Sequence, residues 1–330
     1  MAINGRRPGA GLTLAVLIAL AGISFSGPAQ AQTQAPAFAT LPFALKQLAP
    51  GVYAAIDGPQ GRSGSNAGFV IGDDGVAVID SFFNPDAARA LLAEIRRLTP
   101  LPVKYLINTH YHIDHTGGDA VFREAGAVII AHRNVRGWLR TENIHLFGDR
   151  ITPALRAQVE ALALPDLLTD KDLTIWLGSR RVDVRMERGH TGGDLVVSAP
   201  DAHVLFCGDL LWRRFAPNII DGTVPLWIAT DKAFARLPDA AAMTFVPGHG
   251  DVANAQDVAD FAGYLTDLTA LVRAEMRHGA KDKALVDAVL PRLKAKYPDW
   301  TAVDRGGPRQ IGFMEAELNG KKRVPVPVKD

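Results

Sequence analysis

Five of the nine histidines in this chain fall into one ordered series with two aspartates: His110, His112, Asp114 and His115, then His190, Asp209 and His249. All seven are potential metal ligands. Four lie within six residues, directly behind the apolar run Val103–Ile107. The other three each follow a glycine at the end of a later run, in Gly189-His190-Thr191, Gly208-Asp209 and Gly248-His249-Gly250. No common structural demand explains that pattern, whereas two adjacent divalent ions do.

Spacing divides the series. In an extended segment His110 and His112 project to the same side, so both can reach one ion. Asp114 and His115 come after the chain has turned and can reach a second. His190 would complete the first site and His249 the second. A carboxylate at Asp209 can bridge the ions at the roughly 3.5–4 Å used by two-metal hydrolases. Imidazole nitrogens favour zinc, although iron or manganese fits similar ligand sets. Water shared by two zinc ions ionises near pH 7 rather than about 16, which makes it a nucleophile for a carbonyl or phosphorus centre. Asp114 is expected to orient that nucleophile and pass a proton to the leaving group. No side-chain nucleophile is required. Ser63, Ser65 and Ser81 lack a Gly-x-Ser-x-Gly setting and read as turn residues.

The elements that must position these residues form two β-then-α halves. Strand-like runs at Val52–Ile56 and Gly68–Ile71 precede Asp73-Asp74-Gly75, a hairpin signal leading into Val76–Asp80. Asn84-Pro85 marks the start of a helix with Leu91, Leu92, Ile95 and Leu98 on one face. A helix near 118–125 and a strand at Val128–Ala131 follow. Residues 133–172 read as mostly helical, either a substrate lid or an αα cap. Strands resume at Leu173–Trp176, Val182–Met186, Leu195–Val197, Val204–Cys207 and Met243–Val246. From Val252 the chain is largely helical to about 318 and ends in a basic, Pro-containing tail. The pentapeptide His-Thr-Gly-Gly-Asp occurs at 115–119 and again at 190–194. It suggests two similar halves, each placing a histidine at the mouth of its own sheet. Two facing sheets with helices outside would bring the mouths together as an αββα sandwich.

Composition bounds the rest. A chain of 330 residues with 48% hydrophobic and 22% charged residues can bury a sizeable core. A formal charge of +1 argues against nucleic acid as the partner. Arg6-Arg7, the apolar stretch Leu12–Ile23 and Ala29-Gln30-Ala31 read as a secretory signal cut after Ala31. The apolar stretch is shorter than the ~20 residues of a membrane span. The expected organisation is therefore a signal at 1–31, a leader at 32–45, a catalytic domain at 46–280 and a helical C-terminal extension at 281–330. The protein is expected in the periplasm or secreted, with no stable membrane insertion once the signal is removed. Its single cysteine, Cys207, excludes an internal disulfide and reads as a buried thiol.

Taken together, His-x-His-x-Asp-His at 110–115, Gly189-His190-Thr191, Gly208-Asp209 and Pro247-Gly248-His249-Gly250 resemble the metallo-β-lactamase-fold hydrolase superfamily over roughly residues 46 to 275. Val78-Ile79-Asp80-Ser81 matches that family's strand ending in Asp, and Asp80 would orient the ligand loop. The resemblance implies a four-layer α/β fold. It implies one zinc on His110, His112 and His190, a second on Asp114, His115 and His249, and Asp209 as bridge. Asp at 209 looks more like the glyoxalase II and lactonase branch than the antibiotic-degrading enzymes, some of which carry Cys there. The leading expectation is an exported dinuclear zinc hydrolase of small esters, thioesters or lactones. A β-lactamase is the alternative, and a non-hydrolytic sulfur, redox or binding protein the third. Tyr111 could line the cleft or pack, and His132 could touch substrate or serve structure. Arg213 and Arg214, beside Trp212 and Phe215, could bind an anionic group or form a solvated loop. Gly58 to Gly68 lacks a P-loop lysine and reads as a hairpin edge over the cleft. His145, His203 and His278 read as ordinary histidines.

Overall fold

Short apolar runs between residues 43 and 169, continuous in the buried strands, build a seven-stranded sheet. Its strands are β1 (Phe43–Ala49), β2 (Val52–Asp57), β3 (Ala67–Ile71), β4 (Val76–Ile79), β5 (Val103–Ile107), β6 (Val128–His132) and β7 (Leu167–Thr169), in that spatial order. The computed structural model describes residues 40–328. The expected signal at 1–31 lies outside the described residues. The first four strands form an antiparallel meander, and β4 to β7 run parallel. The parallel steps need crossovers. The first is α1 (Pro85–Leu98), started by Asn84, whose side chain accepts from the Asp86 amide. Its apolar face buries Leu91, Leu92 and Ile95.

The second sheet has five strands, ordered β12-β11-β10-β9-β8. These are β8 (Leu173–Leu177), β9 (Arg180–Glu187), β10 (Asp194–Ala199), β11 (Val204–Trp212) and β12 (Thr244–His249). Residues alternate across it as the pleat requires. Val204 and Phe206 face the first sheet, while Leu205 and Cys207 face the helices. The central layer joins Val70, Ile79 and Ile107 to Val184, Val197, Phe206 and Val246. Helix α1, with α3 (Asp119–Glu124), covers the first sheet. Helices α6 (Val224–Phe234) and α7 (Ala255–Arg277) cover the second. The result is the expected αββα sandwich.

Several expectations change. Strand β1 begins at Phe43, inside the segment read as a leader, because Phe43 is buried and stacks on Phe82 at 5.2 Å. Residues 133–172 hold α4 (Arg133–Phe147) and α5 (Pro153–Glu160) as anticipated, but also β7. A three-residue strand has no period to read. It forms because Ile130 and Ala131 offer a parallel edge to Leu167 and Leu168. Strand β11 does not stop at Cys207 but runs through Asp209 to Trp212, with a kink at Gly208 (φ +51°). A Cβ at Gly208 would lie 2.5 Å from Thr109 Oγ1. The helical extension holds α8 (Asp282–Lys296) and α9 (Val303–Leu318), which share one core with β11 and α7 through Leu285, Val289, Ile311 and Met314.

The repeated pentapeptide adopts two conformations. At 115–119 it closes α2 (Ile113–Thr116) and opens α3, whereas at 190–194 it is a turn into β10. Asp119 accepts from Ser81 Oγ and Asn108 Nδ2. Asp194 instead accepts from Thr191 within its own turn. Tertiary surroundings, not the five residues, decide the local structure. No helix among the described residues is long and apolar enough to cross a membrane.

The two sheets meet closely at Gly68. A Cβ there would lie 2.2 Å from Phe206 Cε1 and 2.8 Å from the Tyr53 carbonyl oxygen. Overpacking of this kind costs about 1–3 kcal/mol. Gly68→Ala is therefore expected to lower the urea midpoint by a corresponding amount with an unchanged slope. A midpoint equal to the wild type would show that the sheets separate there at no cost.

Candidate metal centre

Strand ends deliver the side chains. Strand β5 leads into Thr109 and His110, the turn after it carries His112, and the short helix α2 carries Asp114 and His115. His190 lies between β9 and β10, Asp209 within β11, and His249 at the end of β12. The kink at Gly208 turns Asp209 into the cluster. Residues 58–66 join the antiparallel strands β2 and β3, the hairpin expected for Gly58 to Gly68, and brace this arrangement. Asn66 Nδ2 donates to the Pro247 and Gly250 carbonyls, pinning the His249 turn from both sides. Ser65 Oγ donates to the Asp114 carbonyl at 2.5 Å.

All seven residues singled out in the sequence converge. His110, His112, His190 and Asp209 form one group whose ligand atoms lie within 4.8 Å of one another, and Asp114, His115 and His249 form a second. Asp209 links them. Its Oδ2 lies 3.3 Å from His190 Nε2 and 3.8 Å from His110 Nε2. Its Oδ1 lies 3.0 Å from His115 Nε2 and 3.4 Å from His249 Nε2. Asp114 Oδ2 sits 3.3 Å from His249 Nε2. Asp114 and His249 keep side-chain exposures of 28% and 12%, so the second group opens toward solvent while the first is enclosed.

Asp80 fixes the loop as expected. It accepts from the Thr109 amide at 2.7 Å and from Thr109 Oγ1 at 2.8 Å. Its Oδ2 also lies 2.8 Å from His115 Nδ1. A carboxylate on Nδ1 holds the proton there and turns Nε2 into the cluster.

The electrostatics are those of a cavity built around positive charge. Burial acts to raise the Asp209 carboxyl, but His249, His115 and His190 outweigh it and hold it well below the ordinary carboxylate range. Burial pushes His110 well below its ordinary value and His190 down to about 3. Burial also disfavours charged His115 and His249. Asp209 leads the opposing carboxylates, which carry His115 well above its ordinary value and His249 to about 9. Asp209 and the protonated forms of His115 and His249 stabilise one another. His110 Nε2, His115 Nε2, His249 Nε2 and Asp209 Oδ1 are buried and make no well-aligned hydrogen bond, although His115 Nε2 and Asp209 Oδ1 are only 3.0 Å apart. Such atoms are costly unless something ligates them. The donor set, five imidazoles and two carboxylates, fits divalent ions of the zinc type.

The remaining candidates resolve by contact. Tyr111 is buried, packs on Trp138 and donates to Asp221. His132 caps α4, accepting from the Asn134 amide at 3.2 Å. Trp212 stacks on His249 with ring centres 3.9 Å apart. Arg213 pairs with Asp257 at the start of α7. His203 pairs with Asp239, and His145 and His278 are exposed. Cys207 is a free, buried thiol raised well above its ordinary pKa by burial. Asp221 escaped sequence reading. It lies in a loop after β11 with no motif, yet its Oδ2 sits 3.3 Å from His112 Nε2. An acidic residue before glycine was its only signal.

The profile of the metallo-beta-lactamase superfamily matches residues 60–270. The chain belongs to the metallo-β-lactamase superfamily. It is 24% identical over 266 residues to the hydroxyacylglutathione hydrolase of Hyphomonas neptunium, covering 78% of this chain and 93% of that protein. It is 27% identical over 192 residues to the metallo-beta-lactamase type 2 of Bacteroides fragilis, covering 57% and 69% respectively. A solved metallo-beta-lactamase from Pontibacter korlensis superposes with a TM-score of 0.55 at 22% identity, covering 68% of this chain and 99% of that one, and shares the fold. Relatives in this superfamily are metal-dependent hydrolases, and this superfamily enzyme has a cluster that could hold metal.

Asp119, behind the cluster, generates a pH prediction. Burial raises its carboxyl to about 8. A folded-state value above the unfolded one favours folding at low pH, and that stability is lost as pH rises from about 4 through 8. In chelator, Asp119→Asn is expected to flatten the fall of the thermal midpoint over this window. An unchanged slope would assign the pH dependence to other groups.

Proposed function

We propose that this superfamily hydrolase is an exported dinuclear zinc enzyme acting on small esters, thioesters or lactones. The observation that carries the reading is the division of Asp209, one oxygen toward each group of imidazoles. His110, His112 and His190 would hold one ion, and Asp114, His115 and His249 the other, with Asp209 common to both. Ions held there supply Lewis acidity and make water nucleophilic near neutral pH. Asp114 is the more exposed carboxylate and faces the open side, where it can orient water and move a proton to the leaving group. Trp212, stacked on His249, keeps that imidazole ring in place. The aspartate at 209 and the long alignment with a hydroxyacylglutathione hydrolase favour ester and thioester substrates. Export rests on Arg6-Arg7, the Leu12–Ile23 stretch and Ala29-Gln30-Ala31.

A β-lactamase is the second reading, favoured by the alignment with the Bacteroides fragilis enzyme. The ratio of kcat/KM for a thioester or lactone to that for a chromogenic cephalosporin separates the two, using zinc-loaded protein and a chelated control. We expect the ester-type substrate to dominate. Efficient chelator-sensitive cephalosporin cleavage with poor ester turnover would reverse the assignment. Asp209→Ala is expected to bind fewer than two zinc ions and to lose at least ~100-fold in hydrolysis, the scale of lost metal-site support. Two ions retained with full activity would refute the bridge.

A further inference from the structure

Three consecutive residues after β11 touch both histidine loops of the first group. Asp221 is 5% exposed. Its Oδ2 accepts from the Tyr111 hydroxyl and lies 3.3 Å from His112 Nε2. The other ring nitrogen of His112, Nδ1, lies 3.0 Å from His190 Nε2, inside the cluster. Neutral imidazole carries its proton on one nitrogen and a lone pair on the other. A carboxylate on Nε2 keeps the proton there and points the Nδ1 lone pair at the first group. Two residues on, the Thr223 amide donates to the carbonyl of Gly189, which precedes His190. At Gly222 a Cβ would come within 3.0 Å of that same carbonyl oxygen.

The turn is clamped from the far end of the chain. Lys322, whose side chain is 5% exposed, donates from Nζ to the Gly222 carbonyl at 2.6 Å and to Glu317 at 2.8 Å. The other oxygen of Glu317 accepts from the Val224 amide at the start of α6. A buried ammonium between a carbonyl and a carboxylate is a strong, directional clamp. The tail then runs along α4. Arg323 pairs with Glu142, Trp138 Nε1 donates to the Val326 carbonyl, and the Val328 amide donates to Asn134 Oδ1. These contacts return to the centre, because Trp138 packs on Tyr111 and Asn134 Nδ2 donates to the Gly192 carbonyl. Lys322 and the tail lie beyond residues 60–270, the superfamily match.

We propose that Asp221, held in place by Lys322 of the C-terminal tail, orients the His112 ring and so controls metal affinity at the first group alone. Both are positioning residues. The inference rests on the metal reading of the cluster given above.

Chelator competition on the zinc-loaded full chain tests it, with the two zinc affinities measured separately. Long-range 1H–15N spectra report the His112 tautomer. Asp221→Ala is expected to weaken one of the two ions about 10–100-fold, the usual effect of removing a ligand's hydrogen-bond partner. The second ion should keep its affinity, and the Nε2-protonated pattern of His112 should be lost. Asp221→Asn should weaken the same ion less. Lys322→Met should also act on that ion, and Lys322→Arg should restore most of the affinity. Equal weakening of both ions with a lowered thermal midpoint would mean a merely structural role and overturn the proposal. Wild-type affinities in every variant would overturn it while leaving the metal reading intact. A wild-type protein that binds no zinc would sink the metal reading and this inference with it.

Discussion

Everything in this molecule is arranged around a concentration of nitrogen and oxygen lone pairs largely withdrawn from water and open only on the side of Asp114 and His249. Asp209 is 2% exposed and faces four imidazoles. Desolvating a carboxylate among basic groups is costly unless opposite charge compensates it within the cavity. Protons can do so only by charging histidines that are themselves desolvated. Divalent ions bound there would relieve both strains at once, satisfying Asp209 and the neutral imidazoles together. The fold holds these groups together against their preference for water.

That constraint explains the architecture. Each ligand loop leaves a strand that is hydrogen-bonded to neighbours on the way in, so the backbone approaching the centre has little freedom. Asp80 at the end of β4 binds the Thr109 amide at the end of β5, and the Asn66 amide donates to the Gly248 carbonyl across the sandwich. The sheets are stiffened by Phe206 pressed against Gly68. The enclosed first group and the more open second group differ in solvent access, and the exposed carboxylate, Asp114, is on the open side.

The seven clustered residues were legible because each is a chemically distinctive residue near a strand end, most beside a glycine, and αββα layering followed from the order of apolar runs. What escaped reading depended on distant partners. β7 exists only because β6 offers it an edge. The extension of β11 to Trp212 is paired by β12, which arrives more than thirty residues later. The pentapeptide at 115–119 and 190–194 does place His115 beside one sheet and His190 beside the other, but its two copies differ in local conformation because identical chemistry sits under different neighbours. Asp221 and Lys322 carry no motif at all, and their roles emerge only from contacts across 100 residues.

The distance along the chain between His110 and His249 has a temporal meaning. During synthesis the cluster His110–His115 is complete long before β12 exists, and β12 pairs in parallel with β11, a contact that cannot form early. Long-range parallel pairing is slow to assemble. An ion captured by the nascent chain would meet a partial and exchangeable site. A metal-binding cluster would be complete only after β12 has docked with α7 behind it, so retention of bound metal would report that this strand has reached its place.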